Sequence, residues 1–459
     1  MAQVLGWLLL LLFCSSAQSF LWRRTRGSYS SKGMHPSRAG SFPQKLDHFS
    51  KNSSQLWPQV KSNDQRYFIN DAFYKPGGPV FLMIGGAWIA CESWVSISKT
   101  WVTYAERLGA LFLLLEHRFY GHSQPTGDLS TASLHYLSSR QALADIANFR
   151  TEIAKKMGLT KNNWVAYGCS YGGSLAVWSR LKHPDLFAAA VGSSAPIKAK
   201  ANFYEYLEVV QRSLATHNSK CFQTVKEAFD QVVKMLRFPK YYRKLERDFT
   251  LCKRLKLYSA MDKAYFLERL IFPVELAVQH NKNEKNDKIL SPSTPGTLFI
   301  PPTCSRIALG EQLSFSMDEL CDAMANTSLG SPYHRYVRII LLTYKDKYSP
   351  CFAAHYRTKL KILLDTSIDH HDPNIGVIST NAYYGGFNMT GSKIIFPNGS
   401  FDPWHPLGIT KDISKDLPAV FIKGAVHCAD MFEQNDTDSA ELIQAREKIF
   451  QLLQKWLKQ

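Results

Sequence analysis

The pentapeptide Gly168-Cys169-Ser170-Tyr171-Gly172 constrains the fold more than any other stretch, because it stands between a strand-like run and a helix-like run. Asn163-Trp164-Val165-Ala166-Tyr167 is β-branched and aromatic, whereas Ser174 to Leu181 carries apolar residues at helical spacing. A G-x-S-x-G sequence in that setting predicts a sharp strand-to-helix turn that lifts the serine hydroxyl off the edge of a sheet. The flanking glycines fit, since so tight a turn brings backbone segments together and leaves no room for Cβ atoms. Alone, the pentapeptide also suits an ordinary glycine-rich turn; its neighbours favour the elbow.

The surrounding chain has the texture of an α/β protein. Gly78-Pro79 introduces Val80 to Ile84, which ends at Gly85-Gly86, and Ala110 to Leu115 ends at Glu116-His117-Arg118. Both apolar runs read as fully buried strands. Ala142, Leu143, Ile146, Ala147 and Phe149 then recur at helical spacing before the elbow. Strands alternating with helices imply a mostly parallel sheet flanked by helices. After Ser194-Ala195-Pro196 the sequence becomes charged and amphipathic, and strand character returns only at Lys393 to Phe396 and Ala419 to Ile422, followed by an amphipathic helix from Ser439 to Leu457. The expected layout is a signal peptide over residues 1–19 and a basic leader or disordered arm over 20–41. The first part of the core follows over 42–199, a helical cap insertion over 200–375, and the second part of the core over 376–459.

Composition narrows the classes. Hydrophobic residues make up 45% of the 459 and charged residues 20%, a globular balance. The apolar run Val4 to Phe13, followed by Ala17 and Ser19, predicts a secretory signal cleaved after Ser19. That run is too short to span a bilayer and no later stretch is longer, so no membrane span is expected. A net charge of +17 raises the question of a polyanion partner. The basic residues are scattered through short clusters that belong to no nucleic-acid-binding module, so solvated charge is the reading and no nucleic acid is expected. Whether the chain forms a homodimer is left open. Without Cys14 in the signal, eight of the nine cysteines remain, five of them between Cys221 and Cys351. No C-x-x-C pair occurs, which favours disulfides in the middle region, with Cys169 expected to stay free. Sequons at Asn52, Asn326, Asn388 and Asn435 are glycosylation candidates consistent with the secretory route. A fifth, at Asn398, lies too near the candidate acid described next to be expected to carry a glycan.

A serine hydroxyl attacks poorly unless a base removes its proton, and that base needs a carboxylate to hold its tautomer. Downstream of Ser170, Asp402 follows the strand Lys393 to Phe396, and His427 follows the strand Ala419 to Ile422. Loops after parallel strands converge at the carboxyl edge of the sheet, where the elbow also opens. Ser170, Asp402 and His427 are therefore the candidate nucleophile, orienting acid and base. Each of the last two, taken singly, also suits a turn residue or a loop histidine. The developing oxyanion needs two N–H donors, for which Tyr171 and the Gly85-Gly86 loop are the candidates. This chemistry calls for no metal and no organic cofactor.

The segments Gln44 to Phe49, Gln65 to Phe68, Glu116 to Gly121, Tyr136 to Asp145, Gly168 to Gly173, Asn398 to His405 and His427 to Met431 resemble one serine peptidase family. It is the family of lysosomal prolyl carboxypeptidase, dipeptidyl peptidase II and thymus-specific serine protease, and the thymus-specific branch is the nearest likeness. The resemblance runs from about residue 42 to 459 and is weakest in the middle. It implies an α/β-hydrolase core with a helical cap, the Ser170, Asp402 and His427 triad, peptide substrates cut from one end next to proline, and an endolysosomal or secreted location. The chain departs from the family's G-G-E-G or G-N-E-G at Gly85-Gly86-Ala87-Trp88, which lacks the acid, and from its usual glycine at Cys169. The triad alone also suits a carboxylesterase or lipase, and the altered loop a peptide-binding pseudoenzyme.

Overall fold

The computed structural model describes residues 37–50, 56–57, 64–96, 99–251, 254–255, 259–281, 315–344 and 373–458. The signal, most of the arm, Asn52, Cys252, Cys304 and Cys351 lie outside them. Eight strands form one sheet: β1 Arg38–Phe42, β2 Gln65–Asn70, β3 Val80–Ile84, β4 Leu111–Leu115, β5 Trp164–Cys169, β6 Ala189–Ser193, β7 Ile394–Gly399 and β8 Ala419–Ile422. Their order is β1-β2-β4-β3-β5-β6-β7-β8, antiparallel at β1/β2 and β2/β4 and parallel from β4 to β8. This is the α/β-hydrolase arrangement. β1 begins inside the stretch expected to be a disordered arm: Arg38 pairs with Ile69 and Phe42 with Gln65, so backbone pairing orders a segment that has no apolar run of its own.

The alternation of side chains along the strands explains the layers. Val80, Leu82 and Ile84 face one side with Leu111, Leu113 and Leu115, and helices α1 Ser139–Lys156 and α2 Tyr171–Lys182 cover them with Ile146, Phe149, Leu175 and Val177. Phe81 and Met83 face the other side with Phe112 and Leu114. Residues 100–108 and the closing helix α3 Ala440–Leu457 pack there through Trp101, Tyr104, Ile449 and Leu453. A strand covered on both faces has no use for polar alternation, which is why these strands read as unbroken apolar runs.

Between β6 and β7 lie helices with a hydrophobic core of their own: α4 Glu205–His217, α5 Ser219–Met235, α6 Ala260–His280, α7 Met317–Ala325 and α8 Pro332–Tyr344. Leu214, Val232, Leu270, Val274, Leu320, Tyr336 and Ile340 fill it, and Trp404 and Leu407 from the loop after β7 join it. Cys221 of α5 is bonded to Cys321 of α7, a disulfide in the expected region. Among the described residues, no helix is long and apolar enough to cross a membrane.

Candidate active site

At the end of β5 the chain reverses into α2 through Ser170, whose φ of 57° and ψ of −129° lie far from ordinary helix or strand values. Two backbone bonds hold it there, Ser170 N–H to Ser193 O at 2.9 Å and Ser174 N–H to Ser170 O at 3.0 Å. The glycines are required by contact. A Cβ on Gly168 would lie 2.0 Å from Gly172 O, and one on Gly172 would lie 2.5 Å from Ile84 O. Ser170 Oγ is buried and makes no hydrogen bond, His427 included.

The loop after β7 carries Asp402, fully buried. Its Oδ1 accepts from Trp404 N–H at 3.0 Å and pairs with His427 Nδ1 at 2.8 Å, while Oδ2 is buried without a partner. Carboxylate contact at Nδ1 leaves Nε2 as the nitrogen able to take a proton. His427 comes from the loop after β8. Its backbone N–H donates to Gln279 O at 3.0 Å, which anchors the loop to the last turn of α6. Gln279 Oε1 also accepts from Tyr206 O–H at 2.6 Å and from Trp404 Nε1–H at 3.3 Å, so one cap residue touches both loops.

His280, next along α6, stacks edge-on against His427 with ring centroids 6.3 Å apart. Burial, then the neighbouring His427, lowers its pKa to about 4. Arg446 of α3 secures the loop from behind, donating to the carbonyls of Ala429 at 2.9 Å, Asp430 at 3.2 Å and Phe432 at 3.2 Å. Asp430, buried beneath it and accepting from Ser193 Oγ, is raised to about 6 by burial. Neither His280, Gln279 nor Arg446 was legible as a site residue: each sits in a stretch that reads as an ordinary amphipathic helix.

Tyr171 begins α2, where the first N–H groups lack intrahelical partners. Gly86 stands against the same turn, a Cβ there coming within 3.1 Å of Gly172 N. Gly85 is different: its N–H is committed to Leu115 O at 2.8 Å, which leaves Gly86 as the candidate oxyanion donor of the two. Ala87 is buried and Trp88 packs into the adjacent core, so the residues after Gly86 present apolar groups. His117 Nε2 lies 3.2 Å from Tyr171 Oη, and burial lowers this histidine to about 4.

Cys169 corrects the sequence-based expectation. It is bonded to Cys428, 259 residues away, and the bond ties the residue before Ser170 to the residue after His427. Both sulfurs and a ring nitrogen of His427 lie within 4.8 Å of one another. Of the sequons, Asn326 and Asn388 are exposed and Asn435 is half-buried, whereas Asn398 is buried with its amide donating to Ile409 O at 2.9 Å.

A family model described as serine carboxypeptidase S28 matches residues 44–330 and 364–449. The mouse thymus-specific serine protease is 32% identical over 99% of this chain and 97% of its own length. The human protein of that name is 32% identical over 86% of this chain and 83% of its own. Human lysosomal Pro-X carboxypeptidase is 27% identical over 91% of this chain and 88% of its own length. A buried serine on a strained elbow, beside an Asp–His pair that reaches the same sheet edge, thus sits in a chain that belongs to the serine carboxypeptidase S28 family and is a serine-type peptidase.

Proposed function

We propose that the protein hydrolyses peptides from one chain end, next to proline, through an acyl-enzyme on Ser170. His427 Nε2 takes the proton of Ser170 Oγ as the oxygen attacks the scissile carbonyl, and Asp402 holds the imidazole and stabilises its cation. Tyr171 N–H and Gly86 N–H receive the oxyanion. His427 then protonates the leaving amine, and water repeats the sequence to release the acyl group. The observation that carries this reading is the 2.8 Å pair of His427 Nδ1 with Asp402 Oδ1 at the edge where the elbow opens. Ser170 Oγ without a bond to His427 is compatible with it, since catalytic hydrogen bonds tighten in the substrate complex. A neutral His280 supports it too, because a second cation beside His427 would oppose proton uptake. Proline and the exopeptidase mode come from the relatives named lysosomal Pro-X carboxypeptidase, as does a location in the secretory pathway ending in an endolysosomal or extracellular compartment.

The test is labelling of purified protein with a fluorophosphonate at about pH 5 and about pH 7, beside Ser170→Ala. It is followed by hydrolysis of peptides ending in Pro-X with the terminal carboxylate free or amidated. Labelling lost in the variant, and cleavage that requires the free terminus, is the expected outcome. Undiminished turnover by Ser170→Ala would overturn the nucleophile; hydrolysis of esters alone would overturn the peptidase reading; cleavage within blocked peptides would overturn the exopeptidase mode.

A further inference from the structure

We infer that the Cys169–Cys428 disulfide positions the base against the nucleophile, making activity contingent on its oxidation. The inference rests on the roles proposed for Ser170 and His427. The bond joins the immediate chain neighbours of those two residues. In the sheet order, β8 stands three strands from β5, a separation of about 14 Å at the usual strand spacing. The loop after β8 must therefore double back over the ends of β7 and β6 to deliver His427 beside Ser170. It does so with the Cys428 backbone in the left-handed region, φ 55°, which a non-glycine residue enters only when its surroundings hold it there. Cys428 N–H donates to Ser194 Oγ at 2.8 Å, and the sulfur bonds to Cys169, so the turn is fixed from two sides. The anchors of His427, Gln279 O and Asp402 Oδ1, belong to the cap helix and the β7 loop, not to the strand that leads into Ser170.

The sulfurs also pack on the imidazole, all three donors lying within 4.8 Å of one another. Removing the bond frees the loop to drift and opens space beside the ring. Displacement of a catalytic group by about 1 Å costs on the order of 100-fold in rate. Reduction by dithiothreitol leaves two thiols and converts the reagent to its cyclic disulfide, with two protons passing to the cysteine sulfurs. The cap disulfide Cys221–Cys321 joins two helices of the cap core and provides a matched control.

The experiment compares wild type, Cys169→Ala/Cys428→Ala, Cys221→Ala/Cys321→Ala and Ser170→Ala. It reads the fluorophosphonate labelling rate and the kcat and KM for a Pro-X peptide. EDTA is present throughout, because freed thiols beside His427 offer three metal donors. The expected result is a loss of about 10- to 100-fold in labelling rate and kcat for Cys169→Ala/Cys428→Ala, with KM nearly unchanged, and wild-type values for the cap variant. Labelling of Cys169→Ala/Cys428→Ala within twofold of wild type would overturn the inference while leaving Ser170 as nucleophile. Wild type that labels no better than Ser170→Ala would instead overturn the nucleophile itself. Should Cys169→Ala/Cys428→Ala not fold, native wild type is reduced and the freed thiols counted by alkylation and mass spectrometry. Labelling that falls with the fraction reduced and returns on reoxidation is expected; full labelling of protein with both thiols free overturns the inference.

Discussion

Glu275 offers a quantitative test of how the cap is assembled. It lies on α6, 3% exposed, with Oε2 unpartnered, and Glu268, two turns earlier, is in the same condition. Burial, reinforced by Glu268 and opposed by Arg269, raises the Glu275 pKa to about 8, against 4.5 for the free side chain. The folded protein thus holds a proton that the unfolded chain releases across this interval. A raised folded-state pKa contributes stability that is complete below about 4.5 and is lost as pH rises towards 8. Between pH 5.5 and 7.5 the difference is most of one proton, so the slope is on the order of 1 kcal/mol per pH unit, or about 2 kcal/mol over the window. Glu275→Gln preserves the shape of the neutral acid and removes the titration. The variant should gain on wild type as pH rises, by on the order of 1 kcal/mol per unit, in urea unfolding measured at pH 5.5, 6.5 and 7.5. A stability difference that stays constant over those three values would refute the argument, because it would mean that Glu275 keeps the same charge in both states.

Two further perturbations test the frame of the site. Arg446→Met removes the donor that ties Ala429, Asp430 and Phe432 to α3 and leaves the buried Asp438 carboxylate without that partner. A loss of about 3–5 kcal/mol in unfolding free energy is expected, with slower fluorophosphonate labelling of the folded fraction. Gly172→Ala drives a methyl group to 2.5 Å from Ile84 O, where backbone on both sides prevents relief. The expected outcome is destabilisation of about 3 kcal/mol or more, seen as a lowered melting temperature, together with loss of labelling.

The parts of the fold that sequence revealed are those where side-chain pattern and backbone geometry agree. β3, β4, β5 and β7 are buried along their whole length and advertise it with apolar runs, β8 is buried at all but Phe421, and the elbow carries glycines that its contacts demand. β6, Ala189–Ser193, gave no such signal, because its small residues are selected by close approach to α2. Gly192 shows this directly, its Cβ position lying 2.4 Å from Val177 Cγ2. β1 and β2 were missed because their order comes from pairing with neighbours distant in the chain. The places of Asp402 and His427 after strands were legible, and the structure pairs the two side chains there. The Cys169–Cys428 bond was not, since the partners approach only once four strands have taken their order in the sheet. Gly85 shows the limit of motif reading from the other direction: which N–H of the Gly85-Gly86 loop remains available depends on a bond to Leu115 that no local sequence encodes.

The interruption of the sheet between β6 and β7 has a consequence for biosynthesis. At roughly 5–20 residues per second, the ribosome needs about 10–40 s after finishing β6 to make the neighbour that covers its open edge. For that interval the nascent chain presents an unpaired strand rich in small residues, a template for association with other chains. The cap helices are synthesised in the meantime and, having their own core, are able to assemble first. Asp402 and His427 emerge only after the cap, so for that whole interval the growing chain carries Ser170 without the pair proposed to activate it.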